Sequence, residues 1–220
     1  RQMTTVLAPN VHNIAIEGSF DDAQALVKQA FNDRDFAARY DLSAVNSINW
    51  ARLVAQVVYY VYAAVRLGAP EKKVAFAVPT GNFGDVFAGY VASRMGLPVE
   101  RLIVATNVND ILHRALSQGD YSQGTVIPTA TPSMDIQVSS NFERLLFDLG
   151  GRDGLALAEQ MKGFEATKAM RLTNAQREGA SRLFVSARID ADGMSRAMRW
   201  AYDAAGQIID PHSAVGLAAA

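Results

Sequence analysis

The sequence predicts an α/β fold in which parallel strands are flanked by helices, with a helical appendage. Three observations predict it. Val74-Ala75-Phe76-Ala77-Val78 is a continuous apolar run, the pattern of a strand buried on both faces. Arg101 to Ala105 is another buried-strand candidate, and an amphipathic stretch from Val86 to Met95 lies between the two. A glycine turn, Pro79-Thr80-Gly81-Asn82-Phe83-Gly84-Asp85, joins the first run to that helix.

The elements follow in order. His12 to Ile16 reads as a short strand. Ser19 with Asp22 three residues later has the form of a capping box, and Ala23 to Phe31 carries apolar residues at helical spacing. Phe36 to Leu42 reads as a connection. Asn46-Ser47 is placed to cap a helix over Ile48–Leu67, which Gly68 and Pro70 stop. That helix is apolar on nearly every side, which predicts a central, buried position and makes Tyr59, Tyr60 and Tyr62 core residues. Gly96 and Pro98 end the helix after the glycine turn, and Asp110 to Leu116 reads as a short helix after the second strand. Ser117 to Ser140 is rich in Ser, Gly, Thr, Pro and Gln and reads as a long loop, a length at which loops are commonly functional. Helices are then expected over Asn141–Leu149, Leu155–Lys162, Asn174–Phe184 and Gly193–Ala205. The chain opens on Arg1 and closes on Ala218-Ala219-Ala220 inside what reads as a starting helix, so truncation is expected.

Composition narrows the function. The 220 residues carry a net charge of −1, which supplies no general attraction for nucleic acid or an anionic membrane. There is no cysteine, so disulfides, thiolate metal sites and cysteine nucleophiles are excluded, and a cytoplasmic location is expected. No apolar run reaches the ~18 residues of a membrane span. His12, His113 and His212 show no metal-ligand spacing, and no Gly-x-Ser-x-Gly elbow is present.

Three clusters could carry chemistry. In the turn, Gly81 and Gly84 allow close backbone approach, and the following helix start offers unpaired N–H groups to an anion such as a phosphate. Asn82 can donate to that anion or shape the turn. The Asp85 carboxylate would repel a phosphate, so its N–H should face the ligand while its side chain caps the helix or turns away. A G-x-x-G turn serves equally as a ligand-free strand–helix junction, and it is neither a dinucleotide nor a Walker fingerprint. Asn46-Ser47-Ile48-Asn49, with Arg52 one turn on, reads either as capping plus a surface arginine or as a second anion site. Thr106-Asn107-Val108-Asn109-Asp110 stands where ligand-binding loops stand in parallel sheets, and it could equally be a turn with an N-cap.

Taken together, these stretches resemble threonine synthase. The resemblance rests on Asn46–Arg52, Pro79–Asp85, Ala105–Asp110, Asp135-Ile136-Gln137-Val138-Ser139-Ser140-Asn141-Phe142-Glu143-Arg144 and Asp210-Pro211-His212-Ser213-Ala214-Val215-Gly216. It implies the tryptophan-synthase-β-like fold type II of pyridoxal 5'-phosphate enzymes, in the bacterial and fungal branch. The implied activity is β,γ-elimination of phosphate from O-phosphohomoserine with replacement by water. It makes Gly81, Asn82, Phe83, Gly84 and Asp85 the cradle of the cofactor phosphate, and puts Asn46, Ser47, Asn49 and Arg52 near the substrate. It divides the chain into part of the cofactor-binding large domain (1–116), the loop (117–140), the appendage (141–209) and the start of a return segment (210–220).

The chain also departs from the family pattern. The Schiff-base lysine of a Ser-Phe-Lys-Asp-like motif is missing: Lys28, Lys72, Lys73, Lys162 and Lys168 stand in no such motif. A Thr-Ala-His-Pro-like segment is absent too. The expectation is therefore a fragment with no catalytic residue of its own, inactive alone and prone to self-association through uncovered apolar surface. The alternatives are another fold-type-II lyase or dehydratase, and a non-catalytic half-domain that binds a phosphorylated ligand.

Overall fold

The structure is a computed structural model that describes residues 5–18, 20–44 and 46–220. The chain divides into two compact units, 1–42 and 43–220.

The first unit holds α1 (Phe20–Asn32) and α2 (Arg34–Tyr40). The capping box expected at Ser19 falls outside the described residues. The strand expected at His12–Ile16 does not form; that stretch is irregular. The stretch read as a connection from Phe36 is α2. The Asp33 carboxylate accepts the Phe36 N–H at 2.9 Å to start it, and Asp41 ends it in the left-handed conformation at φ 50°.

The second unit is built on a parallel sheet in the order β1 (Val74–Pro79), β2 (Val99–Thr106), β3 (Phe184–Arg188). Val78 pairs with Val104, and Ile103 with Val185. All three strands point the same way, so the turns after them open on one edge. β3 corrects the sequence reading: the helix expected over Asn174–Phe184 stops at Ser181, and Phe184 opens a strand. Around the sheet run α3 (Trp50–Arg66), α4 (Gly84–Arg94), α5 (Ile111–Gln118), α6 (Phe142–Leu149), α7 (Gly154–Thr167), α8 (Asn174–Ser181), α9 (Ala191–Ala205) and α10 (Pro211–Ala219). The expected long loop gives its first two residues to α5, pairs Asp120 with Arg171 in an isolated antiparallel bridge, carries one 3-10 turn, Pro132–Met134, and has no other helix or strand.

α3 begins later than Asn46-Ser47 capping would allow, because Asn49 is the cap and its side chain accepts the Ala51 N–H. The helix is not enclosed. Leu53, Val57, Tyr60 and Ala64 are buried, while Val54, Val58, Tyr59, Tyr62 and Val65 are exposed. The apolar pattern predicts a buried helix; instead one face of α3 meets α4 and the sheet while the other remains open.

A chain of rings forms the middle of the core. Tyr121 stacks on Phe142, Phe142 meets Phe83 edge-on at 5.2 Å, Phe83 meets Phe184, and Phe184 stacks on Tyr90. These rings join the long loop, α6, the glycine turn, β3 and α4. Such pairs add about 0.5–1.5 kcal/mol each beyond the area they bury.

Candidate functional site

The glycine turn leaves β1 and starts α4 through Phe83, which takes the left-handed conformation at φ 64° with its side chain almost fully buried. A bulky residue in that region is strained. Here the ring's contacts with Phe142 and Phe184 hold it in place. Both glycines are required by close approach. A Cβ on Gly81 would stand 2.6 Å from the Ser133 carbonyl oxygen, and one on Gly84 would stand 2.8 Å from Ser47 Cβ.

The turn's carbonyl groups are engaged on one side. Gly81 O accepts from Ser139 Oγ at 2.8 Å, and Asn82 O accepts from both the backbone N and the Nδ2 of Asn141 at 3.1 Å. Thr80 N donates to Ala105 O at 2.8 Å, and the N–H groups that follow, through the first turn of α4, have no acceptor within the helix, so they are the groups an anion could use. Two further polar side-chain atoms are buried without a partner: Asn82 Oδ1 in the turn, and Ser140 Oγ between Ser139 and Asn141, the two residues that bond to the turn. Buried polar atoms are normally paired. Because amide orientation is an assignment, the Asn82 atom is an orphan acceptor or an orphan donor. A phosphorylated ligand with hydroxyl groups suits this combination of free amides, a helix N-terminus and two orphan polar atoms. On these grounds the residues present fit the phosphate end of pyridoxal phosphate.

Asp85 does not cap α4, which has no side-chain cap. Its carboxyl is turned toward α3. Asp85 as a residue remains exposed, but partial desolvation of its carboxyl is the largest influence and raises its pKa; the Tyr60 phenol and the Arg52 guanidinium act the other way without cancelling it. The buried Tyr60 hydroxyl has no hydrogen-bond partner in ordinary geometry, and burial first and then Asp85 push its pKa well up.

The cluster at residues 46–52 lies against the turn through Ser47, whose Oγ accepts from Asn141 Nδ2 at 3.0 Å. The other polar groups are used locally. Asn46 Oδ1 accepts the Ile48 N–H, Asn49 Oδ1 accepts the Ala51 N–H, and Asn49 Nδ2 donates to Ala44 O. Arg52 is exposed.

The cluster after β2 has a structural task. Asn107 and Asn109 are buried and donate to Asp135 Oδ1 at 2.7 and 3.0 Å, while Thr129 donates to Asp135 through Oγ1 and N. This network ties the long loop to the end of β2. His113 meets Ser186, and His212 accepts from the Ser133 N–H. All five lysines are exposed. Among the described residues no three His, Cys, Asp or Glu side chains gather into a metal-binding group.

Sequence reasoning assigned no role to Asn141 and Arg144, although both stand in a stretch it singled out. Asn141 is 1% exposed and joins Asn82 to Ser47. Arg144 donates through Nε to Asn141 Oδ1 at 2.9 Å and through Nη2 to Ile48 O at 3.0 Å, and its guanidinium lies over the Trp50 ring.

Comparison with solved structures gives the class of this parallel sheet and glycine turn: it is the fold of the type II pyridoxal phosphate enzymes. At the distant end of that class, maize serine racemase matches with a TM-score of 0.56 at 14% identity, covering 92% of this chain and 51% of that one, a likeness of fold alone. Within the class, the chain is homologous along its whole length to threonine synthases. The Pseudomonas aeruginosa threonine synthase is 54% identical over 220 residues, all of this chain and 47% of that protein. The Saccharomyces cerevisiae threonine synthase is 43% identical, over 99% of this chain and 46% of its own length. The crystal structure of a PLP-bound threonine synthase from Brucella melitensis superposes with a TM-score of 0.90 at 50% identity, covering 99% of this chain and 47% of that one. The chain thus spans about half the length of these relatives. No family model matches it.

Proposed function

We propose that this chain is the cofactor-phosphate-binding half of a threonine synthase. The parent would convert O-phosphohomoserine and water to threonine and phosphate. The observation that carries the reading is the turn itself: free amides at a helix start beside two orphan polar atoms, in a chain homologous throughout to threonine synthases.

In this reading Gly81, Asn82, Phe83, Gly84 and Asp85 hold the phosphate of pyridoxal 5'-phosphate through backbone N–H groups. When bound, the cofactor supplies the electron sink for chemistry at the substrate. Asn46, Ser47, Asn49 and Arg52 form one wall of the substrate site, with Arg52 as the cation for the substrate's anionic groups. Residues 1–116 and 210–220 belong to the large domain and 141–209 to an appendage, joined by the loop 117–140. A cytoplasmic location belongs to the same reading and rests on the cysteine-free composition.

All five lysines are exposed, so none stands in the desolvated setting that covalent work by an amine requires. The chain alone should therefore form no threonine. Purified protein incubated with pyridoxal phosphate and O-phosphohomoserine tests this: the expected product is nil, and measurable threonine would overturn the assignment of the lysine to another part of the parent.

A further inference from the structure

We propose that Asn141 and Arg144 are positioning residues that lock the substrate-side segment 46–50 onto the phosphate turn, so that the two halves of the site are held as one body. The proposal rests on the reading of the turn as a phosphate cradle.

The geometry is a two-stage clamp. Asn141, at the start of α6, sends Nδ2 to both Ser47 Oγ and Asn82 O, and its backbone N also reaches Asn82 O. Its remaining polar atom, Oδ1, is taken by Arg144 Nε. An amide that would otherwise be free to flip is thereby fixed with its donor toward the turn. Arg144 then spans from Asn141 to Ile48 O with Nη2 while its plane covers Trp50. Segment 46–50 is thus gripped at Ser47, Ile48 and Trp50 by one helix turn that also holds Asn82.

The chemistry explains the residue types. A lysine places one point charge and cannot reach Asn141 Oδ1 and Ile48 O together, whereas a guanidinium fork can, and it also stacks on an indole. No carboxylate pairs with Arg144 among the described residues. The arginine therefore holds neutral carbonyl groups, which suits a geometric strut rather than a charge pair. Gly84 is pressed against Ser47 at the same place, so a shift of the segment would carry into the first turn of α4.

The test uses the 220-residue chain carrying Trp200→Phe, which leaves Trp50 as the sole indole. Inorganic phosphate and pyridoxal phosphate are titrated calorimetrically into this protein and into its Arg144→Lys, Asn141→Ala and Ser47→Ala variants. Acrylamide quenching of Trp50 is read in the absence of ligand. The expected result for Arg144→Lys and Asn141→Ala is about tenfold weaker binding of both probes. Quenching of Trp50 should rise, with the unfolding transition still cooperative. Ser47→Ala, which removes one acceptor and keeps the arginine, should weaken binding less. Unchanged Trp50 quenching in both Arg144→Lys and Asn141→Ala overturns the clamp whatever the ligand data show. Wild-type affinity in those two variants overturns it as well. Absence of binding by the parent protein, with quenching still raised in the variants, instead sinks the cradle reading and leaves the clamp standing.

Discussion

Gly81 is the residue on which the turn depends most visibly, because the Ser133 carbonyl occupies the space a side chain would need. Gly81→Ala should cost about 1–3 kcal/mol, read as a lowered midpoint in urea unfolding. An unchanged midpoint would mean the 132–134 turn yields freely. Asp85 makes a second prediction. Its pKa is raised in the folded protein, so its contribution to stability is fully present below the unfolded value of about 3.9 and is lost as pH rises through the folded value. Asp85→Asn should therefore melt at a higher temperature than wild type at neutral pH, with the gap closing toward pH 3. A variant less stable than wild type at neutral pH would show that the attraction of Arg52 outweighs desolvation. At this scale the turn was legible because Gly81 and Gly84, the two positions with no room for a side chain, stand together between an apolar run and a helical pattern. Asn141 was not: its partners lie 94 and 59 residues away, and nothing local in Ser140-Asn141-Phe142 distinguishes a hub from an ordinary N-cap. Asn107 and Asn109 show the converse. They stand where ligand loops stand, yet their amides serve Asp135.

Among the elements, α4 and α6 are joined by a polar clasp. Asp148 accepts from Tyr90, from Arg94 at 2.8 Å and from Arg152 at 2.7 Å. Burial acts upward on the Asp148 carboxyl, but Tyr90, Arg152 and Arg94 together outweigh it and hold the group below the usual carboxylate range. A depressed carboxylate stabilises above its unfolded pKa, and that contribution is lost as pH falls through the folded value. Asp148→Asn should thus lower stability near pH 7 by about 1 kcal/mol, a modest figure because both arginines are largely solvated. The difference from wild type should shrink below about pH 4. Urea unfolding at both pH values checks it, and an effect independent of pH would contradict the account. β1, β2 and α4 were legible because a continuous apolar run and a strong period leave few alternatives. β3 was not: Phe184-Val185-Ser186-Ala187-Arg188 is short and mixed in polarity, and follows a helical pattern without a break. Its pairing with β2 is a long-range event. α2 was hidden for a different reason, since Asp33 and Asp41 act as caps only once the helix between them forms.

At the scale of the whole molecule, the open face of α3 stands out. Val58 is 62% exposed and Tyr62 68%, and with Val54, Val61, Val65, Val91 and Met95 they line a wholly apolar groove of about 700 Å³. Apolar patches of this kind drive association. The apparent mass of the chain in light scattering should therefore rise with concentration, and Val58→Asp should suppress the rise. A constant monomer mass in wild type would contradict this. The helical period of α3 was plain in the sequence, but which side would stay uncovered was not, because that depends on what packs against it. The central claim concerns the phosphate cradle, and the most direct test is calorimetric titration of pyridoxal phosphate and inorganic phosphate into the chain and into its Gly84→Asp variant. Both ligands should bind the wild-type chain at a shared site, each competing with the other, and both should be lost when a carboxylate enters the turn. Equal binding by wild type and variant, or no competition between the two ligands, would contradict the cradle.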